Sequence, residues 1–411
     1  MRILVLCQYY APEEVGAGIW VTEMAEDLVR LGHDVTVATA FPNYPKRQVF
    51  EAYKGKKFQR EMLNGVDVWR SYIYANPSES TKSRLLNWAS FCASSCLSVA
   101  FRRKKHDVIY AIMPPLPLGM VAAWLALWKR TRLVANVQDI YPDAAIDLGF
   151  LKNPTLISFF RKMERYVYRK ASRIVVISDG FKKNLIAKGV PDSKVDIVFN
   201  WADTDSILPG EPDPGLRSKL GIKPDEFAVI YSGGLTNNSC VERLIEAAIR
   251  MQDEKVRFVI VGNGAREGAL KQMVTDNNLS NVSFHPFQPL ELYPDVLRAS
   301  DLSVVTLSRD AAKVSVPSKV YKQMAAGRPI LVIASTENEL TRMINVAEAG
   351  VTVSSDSPEE VCAAIRQVIG NREAGRLMGA NAREFVVKNC SRPVCVKLIE
   401  KSLKAAVEQA L

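Results

Sequence analysis

Three short segments of the chain each contain two closely spaced glycines, a pattern that is typical of phosphate-binding loops. Gly16-Ala17-Gly18 follows an apolar run at the start of the chain, and Ser232-Gly233-Gly234 and Gly262-Asn263-Gly264 each follow a later apolar run. Glycine allows backbone N–H groups to approach a phosphate closely, and a helix that starts there adds unpaired donors and a favourable dipole. These segments therefore predict phosphate contacts, although a tight turn between a strand and a helix would use the same residues.

A fourth segment, Pro317-Ser318-Lys319, opens a predicted helix. Ser318 is a candidate N-cap, and the free N–H groups of the first turn would point at a diphosphate. Lys319 would supply the countercharge, with Lys313 and Arg309 as further candidates. The alternative interpretation is a capped helix whose lysines are solvated.

Several other kinds of chemistry fit the sequence poorly. Val21 stands where the dinucleotide-binding pattern G-x-G-x-x-G requires its third glycine, which disfavours a redox enzyme. Three histidines are too few for a typical histidine-based metal site. The acidic segment Asp203-Thr204-Asp205 indicates turn chemistry rather than metal ligands. No metal is therefore expected.

Apolar runs alternate with helix-period segments along most of the chain, which predicts an α/β fold with parallel sheets. The predicted strands are 2–7, 34–39, 108–112, 132–137, 173–177, 228–231, 256–261, 282–284, 302–306 and 330–333. The predicted helices are 20–31, 241–251, 265–276 and 319–326. A length of 411 residues favours two domains.

A segment rich in proline and glycine, 206–225, is predicted to be the linker between these two domains. The first domain is then 1–205 and the second is 226–385. Residues 386–411 are predicted to form a C-terminal helix that packs back on the first domain.

The chain carries 54 Lys and Arg against 44 Asp and Glu, a formal charge of +10. Such an excess suits nucleic acid, anionic lipid or phosphorylated substrates, but the sequence contains no recognition-helix or RNA-binding motif, which disfavours nucleic acid. The cations instead border two apolar stretches, 83–101 and 120–128. This arrangement predicts either buried helices or an in-plane membrane contact, and we favour the membrane contact. The residues expected at the membrane are Arg84, Trp88, Phe91, Phe101, Arg102, Arg103, Lys104 and Lys105.

Seven cysteines without C-x-x-C spacing are expected to be reduced thiols. The first residues lack the charged and apolar regions of a secretory signal. The expected location is therefore the cytoplasm, at the inner face of the cell membrane.

The order of these motifs resembles that of the retaining glycosyltransferases of family four. The likeness is strongest to the bacterial branch that builds O-antigen, colanic acid and other exopolysaccharides, and it covers nearly the whole chain. The segments that carry it are 9–13, 16–18, 41–45, 138–143, 148–149, 176–178, 200–203, 231–235, 261–264, 316–319 and 324–329. The resemblance implies the GT-B fold, in which two Rossmann-like, doubly wound parallel-sheet domains face each other across a cleft.

The resemblance also implies the substrates and the residues that contact them. It implies a nucleoside-diphosphate-sugar donor, with UDP the expected nucleotide, a polyprenyl-diphosphate-linked or glycan acceptor, and no metal cofactor. The donor contacts it implies are Gly16, Ala17, Gly18, Gly233, Gly234, Gly262, Asn263, Gly264, Phe284, His285, Phe287, Val316, Ser318 and Lys319. The acceptor-side residues it implies are Asn43, Tyr44, Gln138 and Asp139. The expected catalytic residues are Asp139, which would orient or activate the acceptor hydroxyl, and Lys319, which would stabilise the leaving diphosphate.

The chain departs from the family at several positions that matter for this chemistry. Val314 and Lys322 stand where the family has two glutamates, Gly234 and Ser239 stand where it has cations, and Gln138 replaces its histidine. These departures leave two other functions open. One is a nucleotide-sugar 2-epimerase with the same fold, and the other is a binding protein that has lost its chemistry.

Overall fold

The computed structural model describes residues 1–13, 16–78, 80–147, 149, 151–289, 291–309, 312, 317–334, 338–354 and 357–408. The chain forms two compact units. Unit 1 consists of Met1–Phe199 and Pro393–Leu411, and unit 2 consists of Asn200–Arg392. Among the residues described, no helix is long and apolar enough to span a membrane.

Unit 1 alternates strands and helices along the chain. Its strands are β1 (Arg2–Leu6), β2 (Asp34–Ala40), β3 (Phe58–Leu63), β4 (Val66–Ser71), β5 (Val108–Met113), β6 (Arg132–Val137), β7 (Arg173–Val176) and β8 (Val195–Ile197). The helices that accompany them are α1 (Ala17–Arg30), α2 (Thr81–Ala100), α3 (Leu116–Trp128), α4 (Asp143–Asp147), α5 (Pro154–Lys170) and α6 (Asp179–Ala187).

The strands of unit 1 form one sheet with the order β3-β4-β2-β1-β5-β6-β7-β8. All neighbouring strands are parallel except β3 and β4. The central strands are runs of Val, Ile and Leu that are buried on both faces, as expected for parallel strands covered by helices. The antiparallel pair turns at Asn64-Gly65, where both residues have positive φ (48° and 82°), as a tight hairpin turn requires.

Unit 2 contains a second parallel sheet, with the order β11-β10-β9-β12-β13-β14. Its strands are β9 (Phe227–Ser232), β10 (Val256–Val261), β11 (Val282–His285), β12 (Leu302–Leu307), β13 (Ile330–Ala334) and β14 (Gly350–Val353). Its helices are α7 (Pro214–Lys219), α8 (Glu242–Arg250), α9 (Glu267–Asp276), α10 (Tyr293–Arg298), α11 (Lys319–Ala325), α12 (Glu339–Val346), α13 (Pro358–Gly370) and α14 (Arg372–Asn389).

The segment 206–225, which the sequence predicts to be a linker, is instead part of unit 2. It contains α7, which Asp213 caps by accepting hydrogen bonds from the backbone N–H groups of Gly215 and Leu216. Leu216 and Leu220 join a buried cluster on the sheet of unit 2. The prolines and glycines of this segment therefore shape helix ends rather than a flexible connection.

The final helix, α15 (Arg392–Glu408), lies almost entirely within unit 1. Glu400 lies 2.9 Å from Nε2 of His33, and the hydroxyl of Ser402 donates to Asp196 at 2.8 Å. The helix predicted at 386–411 is divided in the structure, because 386–389 end α14 and α15 begins at Arg392.

Candidate functional site

Two of the predicted glycine segments lie side by side at the carboxyl edge of the sheet in unit 2. Gly233 donates its N–H to the carbonyl of Val261 at 2.9 Å, and Leu235 donates to the carbonyl of Asn263 at 3.0 Å. A Cβ atom on Gly262 would lie 1.9 Å from the carbonyl oxygen of Gly233. Glycine is required there because the two main chains touch. We call residues 232–235 and 262–264 the paired glycine turns.

A third loop, which follows β11, adjoins the paired glycine turns. Gly262 donates to the carbonyl of His285 at 2.8 Å, and the amide oxygen of Asn263 accepts the N–H of Phe287 at 3.1 Å. The side chain of Phe284 packs against the core below Lys271, and His285 contacts the carbonyl of Leu220 at 3.1 Å. The side chains of Phe284 and His285 are therefore engaged with other protein atoms. The exposed ring of Phe287 and the backbone of the loop are the parts that could contact a ligand.

Lys319 lies against the first of the paired glycine turns. Its Nζ atom is 3.9 Å from the centroid of the Tyr231 ring, and it would be 3.0 Å from a Cβ atom on Gly233. The hydroxyl of Tyr231 donates to the carbonyl of Gly234 at 2.9 Å, which fixes the ring beneath the ammonium group. Burial lowers the pKa of Lys319 to about 7. An anion bound at the turns would restore the charged form of this lysine.

The start of α11 differs from the predicted cap. Ser318 has helical backbone angles and its side chain makes no capping hydrogen bond, so it is not the N-cap that the sequence predicts. Lys322 lies 5.6 Å from the ring centroid of Tyr293. Val316, Val314 and Lys313 lie outside the described residues. Lys319 is thus a predicted countercharge that the structure places beside the paired glycine turns.

The glycine segment of unit 1 is held by a buried carboxylate that the sequence-based assignment of roles missed. Glu13 accepts the backbone N–H groups of Asn43 and Tyr44, both at 2.8 Å, and that of Tyr10 at 3.2 Å. A Cβ atom on Gly18 would lie 2.6 Å from the carbonyl oxygen of Glu13. The loop after β1 and the loop after β2 are thereby joined through one side chain.

Gly16 and Ala17 begin α1 beside this junction. Gly16 has a φ of 60° and precedes the helix without a side-chain cap, so the first N–H groups of α1 are not covered by a side chain of the N-cap residue. A Cβ atom on Gly16 would be 4.0 Å from the Tyr44 ring. The structure therefore brings Gly16, Gly18 and Tyr44 together at one edge of the sheet.

The acceptor-side residues occupy different environments. Asn43 is buried and donates to the carbonyl of Phe41 at 2.9 Å, so its side chain supports the loop and does not face solvent as an acceptor contact would. Tyr44 is 38% exposed. Gln138 donates to Asn136 at 2.8 Å. Asp139 reaches solvent, but the protein atoms around it raise the pKa of its carboxyl to about 6 by desolvation.

Asp139 and the glycine segment of unit 1 lie on the same edge of one sheet. Asp139 follows the carboxyl end of β6, and Gly16 follows that of β1. Only β5 separates these strands, which corresponds to about 10 Å at the usual spacing of neighbouring strands. This edge therefore presents both a carboxylate and backbone donors.

Glu13→Gln is expected to lower the free energy of unfolding by about 1–3 kcal/mol, the usual cost of an unpaired buried polar group. The amide has a single oxygen, so its NH2 group would face one of the three backbone donors that the carboxylate now accepts. Urea denaturation measures the change. Glu51→Gln, on an exposed carboxylate, serves as the control and should stay within about 0.5 kcal/mol of the wild type. Equal stability of all three proteins would contradict the role of Glu13.

The predicted membrane residues are only partly at the surface. Phe91 is fully buried in the core of unit 1 and so cannot enter a membrane. Trp88 is half-buried and packs edge-on against Tyr141 with a centroid distance of 6.1 Å. Lys104 binds Asp34 at 2.9 Å and also Asp67. Helix α2 is apolar around much of its circumference, and the sequence therefore does not reveal which side is buried. The remaining members are Arg84, Phe101, Arg103 and Lys105, which are exposed, and Arg102, which is half-buried on the Trp69 ring.

A different set of apolar side chains is exposed where α2 and α3 end together. Trp124 and Trp128 stack with a centroid distance of 5.6 Å and are 45% and 65% exposed. Leu127 and Phe101 are also exposed, and Lys129 joins the two helix ends by donating to the carbonyl of Arg102 at 2.7 Å. We call Phe101, Trp124, Leu127 and Trp128 the tryptophan face. Its signal in the sequence was the run 120–128 followed by cations.

The described residues contain no group of three or more His, Cys, Asp or Glu side chains placed to hold a metal ion. The seven cysteines are free thiols.

Comparison with known proteins gives matches over both units. A model of a "Glycosyl transferase 4-like domain" matches residues 15–201, and a model of "Glycosyl transferases group 1" matches residues 213–385. WcaI of Escherichia coli K12, a glycosyl transferase named for colanic acid biosynthesis, is 32% identical over 377 residues, which are 90% of this chain and 92% of WcaI. WbjE of Pseudomonas aeruginosa, named as a glycosyltransferase, is 24% identical over 70% of this chain and 74% of its own.

Solved structures share the fold at lower identity. HepE of Anabaena in complex with UDP superposes with a TM-score of 0.72 at 18% identity, over 98% of this chain and all of HepE. Sucrose-phosphate synthase of Thermosynechococcus elongatus superposes with a TM-score of 0.76 at 16% identity, over the whole of both chains.

Proposed function

This chain belongs to the glycosyltransferases of family four, and from that premise we propose that it transfers a sugar from a nucleoside diphosphate to an acceptor in the synthesis of a bacterial surface polysaccharide. Unit 2 would bind the donor and unit 1 the acceptor. The expected donor nucleotide is UDP, and the expected acceptor is a polyprenyl-diphosphate-linked or free glycan.

The observation that carries the donor assignment is the environment of Lys319. Lys319 is stacked on Tyr231 beside the paired glycine turns, and its burial lowers its pKa. Burying this amine costs free energy unless a bound anion pairs with its charged form. A diphosphate supplies that charge, and backbone N–H groups at the ends of strands are the usual donors to it. HepE, which has the same fold, was solved with UDP and with UDP-glucose, and this supports the same class of ligand here.

The leaving diphosphate must be stabilised as the bond to the sugar breaks. Lys319 and the backbone donors of the paired glycine turns would do so without a metal ion, because preformed donors cost no reorganisation during the reaction. Asp139 has a pKa near 6 and is therefore mostly ionised at neutral pH, so its carboxylate could orient or deprotonate the acceptor hydroxyl. We expect retention of the anomeric configuration, as the resemblance to family four implies.

Product analysis tests this proposal directly. Purified protein is incubated with radiolabelled UDP-sugars and a lipid extract from the native membrane, and the products are separated into lipid-linked and free fractions. Transfer of label to the lipid or glycan fraction supports the proposal. Conversion of the nucleotide sugar into its 2-epimer, or release of no product with any donor, would refute it.

The tryptophan face suits contact with an anionic membrane, and this supports the proposal that the protein works at the inner surface of the cell membrane. Tryptophan and phenylalanine favour the boundary between lipid headgroups and acyl chains. The exposed cations Arg103, Lys105 and Arg130 flank the face and would meet anionic headgroups. A lipid-linked acceptor would be presented at the same surface.

Vesicles that contain phosphatidylglycerol should sediment with the wild-type protein, and added salt should weaken this binding because the exposed cations are screened. The double variant Trp124→Ser/Trp128→Ser should lose most of the bound fraction, since two exposed rings are removed from the face. Leu377→Ser is the matched control, because Leu377 is 62% exposed on α14 of unit 2. Binding that resists salt, or that survives in the double variant, would contradict a membrane role for this face.

A further inference from the structure

A cavity of about 380 Å³ opens at the amino edge of the sheet in unit 2. Phe227 begins β9, Asp301 precedes β12 and Pro329 precedes β13, and all three line this cavity. The paired glycine turns lie at the carboxyl edge of the same sheet. Strands of five or six residues separate the two edges by about 17–20 Å, so this cavity is distinct from the proposed donor site.

Arginines dominate the polar lining of this cavity. Arg328, Arg372 and Arg376 line it together with Asp301 and Glu211, and Arg372 pairs with Asp301 at 3.7 Å. Asp301 is already engaged, because Arg217 binds it at 3.2 Å and the N–H of Ala228 donates to it at 2.8 Å. The side chains that line the cavity, together with Arg217 behind Asp301, therefore carry more positive than negative charge.

Arg328 is the most enclosed of these arginines. Its Nη2 atom donates to the carbonyl of Gly210 at 2.7 Å, but its Nε–H is buried and has no hydrogen-bond partner among the described residues. Burial lowers the pKa of Arg328, although the carboxylates of Asp301 and Glu211 act in the opposite direction. The buried Nε–H of Arg328 therefore costs free energy because it has no acceptor, and a bound anion would offset this cost by accepting its hydrogen bond.

One of the arginines also stands where a helix disfavours it. Arg372 is the first residue of the 18-residue helix α14, and Arg376 lies one turn later. The amino end of a helix carries partial positive charge, which disfavours Arg372, and Asp301 and Glu373 are carboxylates that offset part of this effect. The ring of Phe227 lies 4.3 Å from the guanidinium carbon of Arg372, which holds that side chain over the cavity.

We propose that this cavity binds a small phosphate-bearing anion at a second site, between the amino end of α14 and Arg328. One guanidinium group can bind two phosphate oxygens, and the N–H groups in the first turn of α14 other than that of Ala374, which Asn371 caps, would add to them. The volume lies within the range of small-ligand pockets. The ligand would join the segment 210–212 to α14 and so stabilise unit 2.

Calorimetric titration with inorganic pyrophosphate tests the proposal, with the protein first saturated with UDP so that the donor site is filled. The expected result is a binding event in the presence of UDP that Arg372→Gln/Arg376→Gln weakens by at least about tenfold, the scale of charge-assisted hydrogen bonds. Arg250→Gln/Arg366→Gln is the charge-matched control, because it removes two arginines of unit 2 that pair with surface carboxylates elsewhere. The control should bind pyrophosphate as the wild type does.

Thermal unfolding separates this role from a general loss of structure. With UDP at a saturating concentration, pyrophosphate should raise the melting temperature of the wild type and of the control but not that of Arg372→Gln/Arg376→Gln, and all three should melt at similar temperatures without pyrophosphate. The single variant Arg376→Gln removes an exposed side chain at the rim of the cavity and should lose part of the shift. Loss of all pyrophosphate binding when the protein is saturated with UDP, equal binding by both double variants under that condition, or no binding at millimolar concentration would overturn the proposal.

Discussion

Asp139→Asn is expected to lower the rate of sugar transfer by about a hundredfold or more and to leave UDP affinity near that of the wild type. The asparagine keeps the size of the side chain but cannot accept a proton from the acceptor hydroxyl, and general-base assistance is worth about 10²–10⁴-fold. Steady-state transfer assays give the rate, and calorimetry gives the affinity for UDP. An equal loss in both quantities would show that Asp139 serves the donor instead.

The pH dependence of the rate provides an independent signature. Desolvation raises the pKa of Asp139 to about 6, so its carboxylate becomes protonated as the pH falls through 6. The wild-type rate should therefore decline below pH 6, and the residual rate of Asp139→Asn should lack this decline. Because a carboxyl whose pKa is raised on folding favours the neutral form, the substitution should not destabilise the fold at neutral pH. Asp179→Asn, on an exposed carboxylate of unit 1, is the matched control and should transfer sugar normally.

Lys319→Met is expected to weaken UDP binding by about 1.5–3 kcal/mol, the range for hydrogen bonds to charged groups. This corresponds to a loss of affinity of about 10- to 150-fold. Methionine keeps an unbranched stem over the Tyr231 ring while it removes the charge. Lys271→Met, on the exposed face of α9, removes an equal charge from unit 2 and should leave the affinity unchanged.

Proton uptake should accompany UDP binding to the wild type at pH 8. The free lysine, with a pKa of about 7, is mostly neutral at that pH, and the bound diphosphate would raise its pKa. The affinity should therefore fall as the pH rises above 7, because binding then requires a proton from solution. Calorimetry in buffers of different ionisation enthalpy measures the uptake. A wild type that takes up no more protons than Lys319→Met would contradict the contact.

The sequence predicted the two parallel sheets well because their strands are long buried runs. The strands predicted at 132–137 and 256–261 match β6 and β10 at both ends, and the implied GT-B fold and glycosyltransferase class are confirmed. The β3–β4 hairpin was missed because β3 alternates between exposed and half-buried positions and its apolar residues, Phe58, Met62 and Leu63, do not recur at every second position. Its turn, Asn64-Gly65, was the available signal.

The sequence predicted which parts of the candidate site lie close together only where the loops follow strands that are adjacent in a sheet. The paired glycine turns follow β9 and β10, which are adjacent in the sheet, so their proximity follows from the α/β pattern. The junction made by Glu13 joins residues about thirty positions apart through a single carboxylate, and no periodicity encodes such a contact. The linker was assigned wrongly because proline and glycine mark both flexible segments and helix ends.

The chain order of the two units has a consequence for dissection of the protein. Unit 2 is an uninterrupted stretch, 200–392, inserted into unit 1, whose last helix is supplied by residues that follow the insertion. A truncation after residue 199 would remove α15, whose residues contact His33 and Asp196, and would expose the surface of unit 1 that α15 covers. An excised unit 2 keeps its whole sheet, whereas unit 1 in isolation requires a fusion that restores 393–408 across the gap.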